Sequence, residues 1–307
     1  MEFLHLLRDI STPVLDKIFL AITFLGDETF FIIIGLFVFW CVDKYEGYFV
    51  LSVGFIGTII NQFLKILCRV PRPWIKDPSL SVAEGAKSGA GGFSFPSGHT
   101  QSSVGTFGSI AVFAKSRALK IAAIALCVLI PFSRMYLGVH TPQDVIVSLV
   151  LAILIIATLR PIIKRGREKN SYMWGLIIFM TALAASFLIY MEFFCPETLD
   201  EYNRTHAYEN SYTLMGCILG FAAIFFLDTR YLHFSTEAPP IAQSLKLVLG
   251  AALVFALKEG LKIPLSFLVP HEGLARLIRY FLMVVAAGGL WPLTFPFFSK
   301  LGALKNK

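Results

Sequence analysis

In SRMYLGVHTPQD, residues 133 to 144, His140 and Asp144 stand four apart, and His99 closes the tetrapeptide PSGH at 96 to 99. On a helix, residues four apart share a face; a carboxylate accepting one ring N–H fixes the imidazole tautomer and leaves the other nitrogen free to attack. His140 is therefore a candidate nucleophile toward phosphorus, Asp144 its supporting carboxylate, and His99 a general acid for the leaving oxygen. Lys65 and Arg72, from KILCRVPRPW, and Arg134 supply three cations around that one fixed anion. Such a set suits a ligand with two or more negative charges, and the Arg fork matches phosphate oxygens. Ser97 and the amides of Gly98 and His99, if they open a helix, add donors aimed at an anion, and Gly98 has no side chain to obstruct its approach.

The elements that must position these groups are membrane spans. The chain of 307 residues is 56% hydrophobic and 15% charged, with a mean hydropathy of +0.70, outside the range of an ordinary soluble domain. We expect an all-α integral membrane protein, a polytopic bundle of about nine spans of roughly 20 residues each, near 26–42, 47–68, 98–115, 119–138, 141–160, 173–194, 212–228, 245–261 and 276–298. Residues 1–25 read as an interfacial amphipathic segment with no removable signal peptide, 26–160 as the catalytic core, and 161–307 as additional spans. The five cysteines, at 41, 68, 127, 195 and 217, lack metal-ligand spacing and read as small core residues.

Sidedness follows from basic loops. Lys115, Arg117 and Lys120, and then Arg160, Lys164, Arg165, Arg167 and Lys169, mark two loops as cytoplasmic; Lys300, Lys305 and Lys307 put the C-terminal tail on the same side. Loops 69–97, 138–141 and 195–211 then face outward, so the ends of the spans that carry all three polar clusters converge on one bilayer face. A mid-helix charge costs about 2.5 to 3.5 kcal/mol on the insertion scale, so that convergence demands a reason. The expected setting is a bacterial cell membrane with the site on the extracytoplasmic side. The net charge of +7 needs no nucleic acid to explain it.

The chain resembles the type 2 phosphatidic acid phosphatase superfamily, whose motifs K-x6-R-P, P-S-G-H and S-R-x5-H-x3-D stand here without departure as Lys65 to Pro73, Pro96 to His99 and Ser133 to Asp144. The resemblance implies a helical core with the site at one membrane face and a phosphohistidine on His140. It also implies proton donation by His99, support from Asp144, and phosphate contacts from Lys65, Arg72, Ser97, Gly98, Ser133 and Arg134; the role of Ser133 rests on the resemblance alone. Vanadate-dependent haloperoxidases share these motifs but resemble soluble helical proteins, and so many spans argue against that activity. No carboxylate cluster of the Mg²⁺-holding kind is present, so hydrolysis without metal or cofactor is expected.

Taken singly, each cluster has a plainer reading: snorkelling cations, a helix cap, an i,i+4 pair. Arg69 fits no motif and stays with the first of these. The expected partners are membrane lipids and a lipid phosphate substrate: phosphatidic acid, polyprenyl pyrophosphate such as undecaprenyl pyrophosphate, phosphatidylglycerophosphate or a sphingoid phosphate. Phosphotransfer through the same intermediate and non-catalytic lipid transport are the alternatives, and the oligomeric state stays open. In the second half Lys258, Glu259 and Lys262, with His271, Arg276 and Arg279, form an outward group that either selects a headgroup or anchors at the interface.

Overall fold

A computed structural model describes residues 1–301, and Lys305 and Lys307, used above for sidedness, lie outside that range. Every regular element among the described residues is helical. In chain order these are α1 (Glu2–Asp9), α2 (Pro13–Phe24), α3 (Glu28–Phe37), α4 (Lys44–Cys68), the short α5 (Pro73–Lys76), α6 (Gly98–Phe113), α7 (Arg117–Tyr136) and α8 (Pro142–Glu168). They are followed by α9 (Asn170–Phe193), α10 (Glu201–Leu227), α11 (Pro240–Gly260), α12 (Lys262–Leu268), α13 (Glu272–Val285) and α14 (Phe295–Lys300).

Among the described residues seven helices are long and apolar enough to cross a membrane, or up to eight if the bent pair Pro13–Phe24 and Glu28–Val42, which meet at 48°, is one span. Nine regions were expected. The expected region not among them is α6, whose 16 residues open on Gly, His, Thr and Gln and so fall short of the length and apolarity that mark the other spans. The first expected span also begins earlier, at Pro13, because Thr12 caps α2 by accepting from the Leu15 amide and Pro13 takes the first helical position. The same Thr-Pro break divides residues 1–25 into two helices. Arg8 closes the break with a bidentate pair to Asp16 at 2.8 and 3.0 Å.

The chain forms two compact units. The first gathers residues 1–34, 49–161 and 200–203. Its apolar centre sets Phe107 of α6 against Ala123 and Ile130 of α7, with Ile22, Leu25 and Ile34 packed on them from α2, its C-cap and α3. A second cluster places Ala83, Ala86 and Ala90 of the 77–97 loop under Tyr136, Leu137 and Val139, with Trp74 alongside. That packing fixes the long loop against the end of α7.

The second unit gathers residues 35–48, 162–199 and 204 onward. Trp40 donates to the Ala287 carbonyl at 3.0 Å, and Tyr48 packs edge-on against Phe39, Phe221 and Phe225. Two members of the outward group have internal partners here: His271 caps α13 by accepting from the Leu274 amide at 3.1 Å, and Arg276 pairs with Glu209 at 2.6 Å. No disulfide joins the five cysteines, but only Cys217 is buried and Cys68 is exposed. An apolar run in a spanning helix has a lipid face as well as a core face, so apolarity alone does not place a residue inside.

Candidate active site

All nine motif residues lie in the first unit, and local chain chemistry explains how each is placed. Residues 134–139 close α7 in a Schellman turn: Gly138 donates to the Met135 carbonyl at 3.0 Å and Val139 to the Arg134 carbonyl at 3.1 Å. Gly138 holds φ +77, a left-handed conformation that glycine adopts without cost. The turn swings the His140 amide back onto the Arg134 carbonyl at 3.2 Å, so the end of one helix sets the position of the histidine.

His140 precedes α8 instead of lying on it, so the helical spacing expected for His140 and Asp144 is not what joins them. Pro142 occupies the first helical position of α8, and Thr141-Pro142-Gln143-Asp144 forms a capping box. Thr141 N donates to Asp144 Oδ2 at 2.8 Å, and Asp144 N donates to Thr141 Oγ1 at 3.3 Å. Oδ2 thereby comes within 3.4 Å of His140 Nδ1. Ser94 Oγ donates to the same oxygen at 2.6 Å and stands 3.5 Å from Nδ1. With Nδ1–H facing the carboxylate, Nε2 carries the lone pair, and Arg72 Nη1 donates to it at 2.9 Å. His140 and Asp144 are each 1% exposed. In the turn between α7 and α8, burial first and the Arg72 guanidinium second push the His140 imidazole well below its usual range, against the opposing pull of Asp144.

Arg72 precedes Pro73, which keeps it extended at φ −63, ψ 154 just before α5. All three of its nitrogens donate. Besides His140 it donates to the carbonyls of Gly92 at 2.9 Å, Val139 at 3.1 Å and Gly91 at 2.6 Å, and it lies over the Trp74 ring at 5.8 Å. Lys65 Nζ donates to the Phe93 carbonyl at 2.6 Å. Arg134, 1% exposed, donates to Thr23 Oγ1 at 3.0 Å and the Gly89 carbonyl at 3.2 Å. A guanidinium this deep is tolerable only with such partners. The three cations thus converge on one stretch, residues 89–93, whose carbonyls accept from each of them.

Ser97 caps α6, accepting from the Thr100 amide and hydroxyl at 3.4 and 3.0 Å, while its own amide donates to the Asp144 carbonyl at 3.1 Å. Gly98 and His99 begin the helix, where first-turn amides have no partner within the helix. Buried Asn61, one turn before Lys65 on α4, borders Gly98. His99 lies within electrostatic reach of Arg134, Arg72 and Lys65. Ser133 is buried and donates to the Ile130 carbonyl of its own helix at 2.6 Å, so a phosphate contact requires its hydroxyl to turn. Sequence reasoning missed Ser94, Thr141 and Thr23. The Thr-x-x-Asp box could have revealed Thr141; the other two carry no local signal.

Among the described residues no three His, Cys, Asp or Glu side chains gather so as to hold a metal ion. The lone pair of His140 Nε2 faces the Arg72 guanidinium, a cation whose fork suits an anion such as phosphate.

The family model described as the PAP2 superfamily matches residues 46–168, and that of the PAP2 superfamily phosphatase transmembrane extension matches 212–303. Phosphatidylglycerophosphatase B of Bacillus subtilis (strain 168) is 30% identical over 176 residues, covering 52% of this chain and 82% of that protein. The probable sphingosine-1-phosphate phosphatase of Dictyostelium discoideum is 28% identical over 251 residues, 76% of this chain and 58% of the relative. Undecaprenyl-diphosphatase BcrC of B. subtilis is 32% identical over 102 residues, 33% of this chain and half of that protein. No solved structure matches.

Proposed function

This chain belongs to the PAP2 superfamily, and we propose that it is an integral-membrane lipid phosphatase working through a phosphohistidine on His140. The observation that carries the proposal is the two-sided hold on His140: Asp144 Oδ2 faces Nδ1 at 3.4 Å and Arg72 donates to Nε2 at 2.9 Å. A buried imidazole with its tautomer set and a phosphate-binding fork at its free nitrogen is arranged for in-line attack on phosphorus.

In the first step the Nε2 lone pair forms a P–N bond while the P–O bond to the leaving group breaks; His99 gives that oxygen its proton. In the second, water attacks phosphorus, His99 takes the proton back, and the P–N bond breaks to release phosphate and restore His140. Lys65, Arg72 and Arg134 offset the negative charge on the equatorial oxygens, joined by the amides of Gly98 and His99 and the hydroxyls of Ser97 and Ser133. No metal ion takes part in this scheme.

The substrate is an amphiphilic phosphomonoester or diphosphate. The named relatives act on phosphatidylglycerophosphate, a sphingoid phosphate and undecaprenyl diphosphate, and phosphatidic acid shares their chemistry. The test is phosphate release by purified protein in detergent, with and without EDTA, across these four lipids and with His140→Ala beside wild type. Release that survives EDTA and disappears in the variant supports the proposal; release unchanged in the variant overturns it.

We further place the site on the extracytoplasmic face of a bacterial membrane, because the basic loops mark the opposite side. On a cysteine-free background, an impermeant thiol reagent added to whole cells should label Ser79→Cys and spare Lys164→Cys. The reverse pattern would invert the assignment.

A further inference from the structure

Resting on the phosphohistidine reading, we propose that Ser94, which lies outside the three motifs, is a positioning residue for the Asp144 carboxylate. Its hydroxyl sits 2.6 Å from Asp144 Oδ2, in the range of a charge-assisted O–H···O⁻ bond. The bond from His140 Nδ1 to the same oxygen is 3.4 Å. Thr141 N supplies a third contact at 2.8 Å. The orientation of the carboxylate is therefore set by Ser94 and Thr141, and the imidazole adapts to it.

The placement of Ser94 suits that task. Its side chain is fully buried, so no solvent competes for the hydroxyl. Its amide donates to the Val70 carbonyl at 2.8 Å, inside the Lys65-to-Pro73 motif. Three residues on, Ser97 donates its amide to the Asp144 carbonyl at 3.1 Å. Ser94 thus ties the first motif to the third through the loop that leads into the second. Without its hydroxyl, Oδ2 keeps one short partner and the carboxylate can rotate away from Nδ1. Ser94 Oγ stands 3.5 Å from Nδ1, but its one proton is committed to Asp144 Oδ2, so the effect passes through Asp144.

The test is a double-mutant cycle of Ser94→Ala with Asp144→Ala. Its readouts are steady-state kinetics and single-turnover trapping of acid-labile, alkali-stable phosphoprotein, using whichever radiolabelled lipid of the four-member panel wild type cleaves fastest. Ser94→Ala should lower kcat and the rate of phosphohistidine formation about 10- to 100-fold, leave KM within about twofold and leave thermal stability near wild type. In the Asp144→Ala background, removing Ser94 should cost no more than about twofold further. Full activity in Ser94→Ala, a loss confined to KM, or multiplicative losses in the double variant would each overturn the proposal. If Ser94→Ala does not fold, Ser94→Cys, which keeps the volume but offers only a weak donor, enters the same cycle. Absence of phosphohistidine in wild type would instead sink the underlying mechanism, which separates the two failures.

Discussion

Arg72 Nη1 lies 2.9 Å from His140 Nε2, so on the proposed mechanism the phosphate-binding group occupies the lone pair of the nucleophile. The guanidinium also donates to three backbone carbonyls, which fixes its plane. On that mechanism an arriving phosphate would offer Arg72 an anionic acceptor in exchange for the imidazole and free Nε2 at the same moment. Binding and unmasking of the nucleophile are then one event.

This exchange needs a planar fork, not a bare charge. Arg72→Lys keeps the cation but cannot make the divergent contacts, and it should lower kcat/KM by about 10²- to 10³-fold, about 3 to 4 kcal/mol of transition-state stabilisation. Kinetics on the fastest substrate would check it. A loss below fivefold would mean that charge alone suffices.

The pH profile should report the environment of His140. On the proposed mechanism the neutral imidazole is the nucleophile, and burial with the neighbouring Arg72 lowers its pKa, so the reactive form persists into more acid solution than for a free histidine, at about 6.5. The sign is therefore an acid limb displaced downward, with activity retained at pH 6. Phosphate ionisation adds its own limb. Comparing phosphatidate with undecaprenyl diphosphate separates the two, because only the limb common to both belongs to the enzyme. A common limb at or above 6.5 would count against the assignment.

Two glycines should respond in opposite ways to alanine. Gly98 is helical, and an added Cβ would meet Asn61 Oδ1 at 3.9 Å, an ordinary contact. Gly98→Ala should melt at or slightly above the wild-type temperature, since alanine favours the helix by up to about 1 kcal/mol. If phosphate approaches that amide, phosphate release should nevertheless fall about tenfold or more. Gly138 holds φ +77 with the Ser81 carbonyl 3.0 Å from a new Cβ. Gly138→Ala should cost roughly 1 to 2 kcal/mol in the left-handed turn alone and lose activity together with stability. Calorimetry paired with kinetics distinguishes the two, and full activity in Gly98→Ala would remove Gly98 from the phosphate cradle.

Apart from Gly98, the motif residues were legible because each is a polar group in apolar sequence, where its cost demands a use. A helix start was legible where its cap was read, as at Ser97, and the Thr141 cap went unread although its Thr-x-x-Asp box stands in the sequence. What escaped was carried by the backbone or by distance. The carbonyls of residues 89–93 that hold Lys65, Arg72 and Arg134 have no side-chain signature. Thr23, which accepts from Arg134 across 111 positions, is an unremarkable threonine in an apolar helix. The direct His140–Asp144 geometry was misread for a related reason: spacing of four suggests a helical face, but Pro142 at the first turn of α8 leaves His140 outside it, and the capping box makes the approach instead.

A phosphohistidine also constrains the second half-reaction. If every substrate passes its phosphoryl group to His140 Nε2, the leaving lipid has no contact with the P–N bond once it departs. Adding an alcohol acceptor such as glycerol should then divide the intermediate between water and alcohol in a ratio set by the enzyme and the acceptor concentration. That ratio should be the same, within about 20%, whether the donor is phosphatidate, phosphatidylglycerophosphate or a sphingoid phosphate, even where their kcat/KM values differ by orders of magnitude. Direct attack of water on the bound lipid would instead give a ratio that changes with the donor, since the leaving group is present in each transition state. Counting phosphate and phosphoglycerol from labelled donors decides between them. A ratio strongly favouring the alcohol at low concentration would identify the enzyme as a phosphotransferase with the same intermediate.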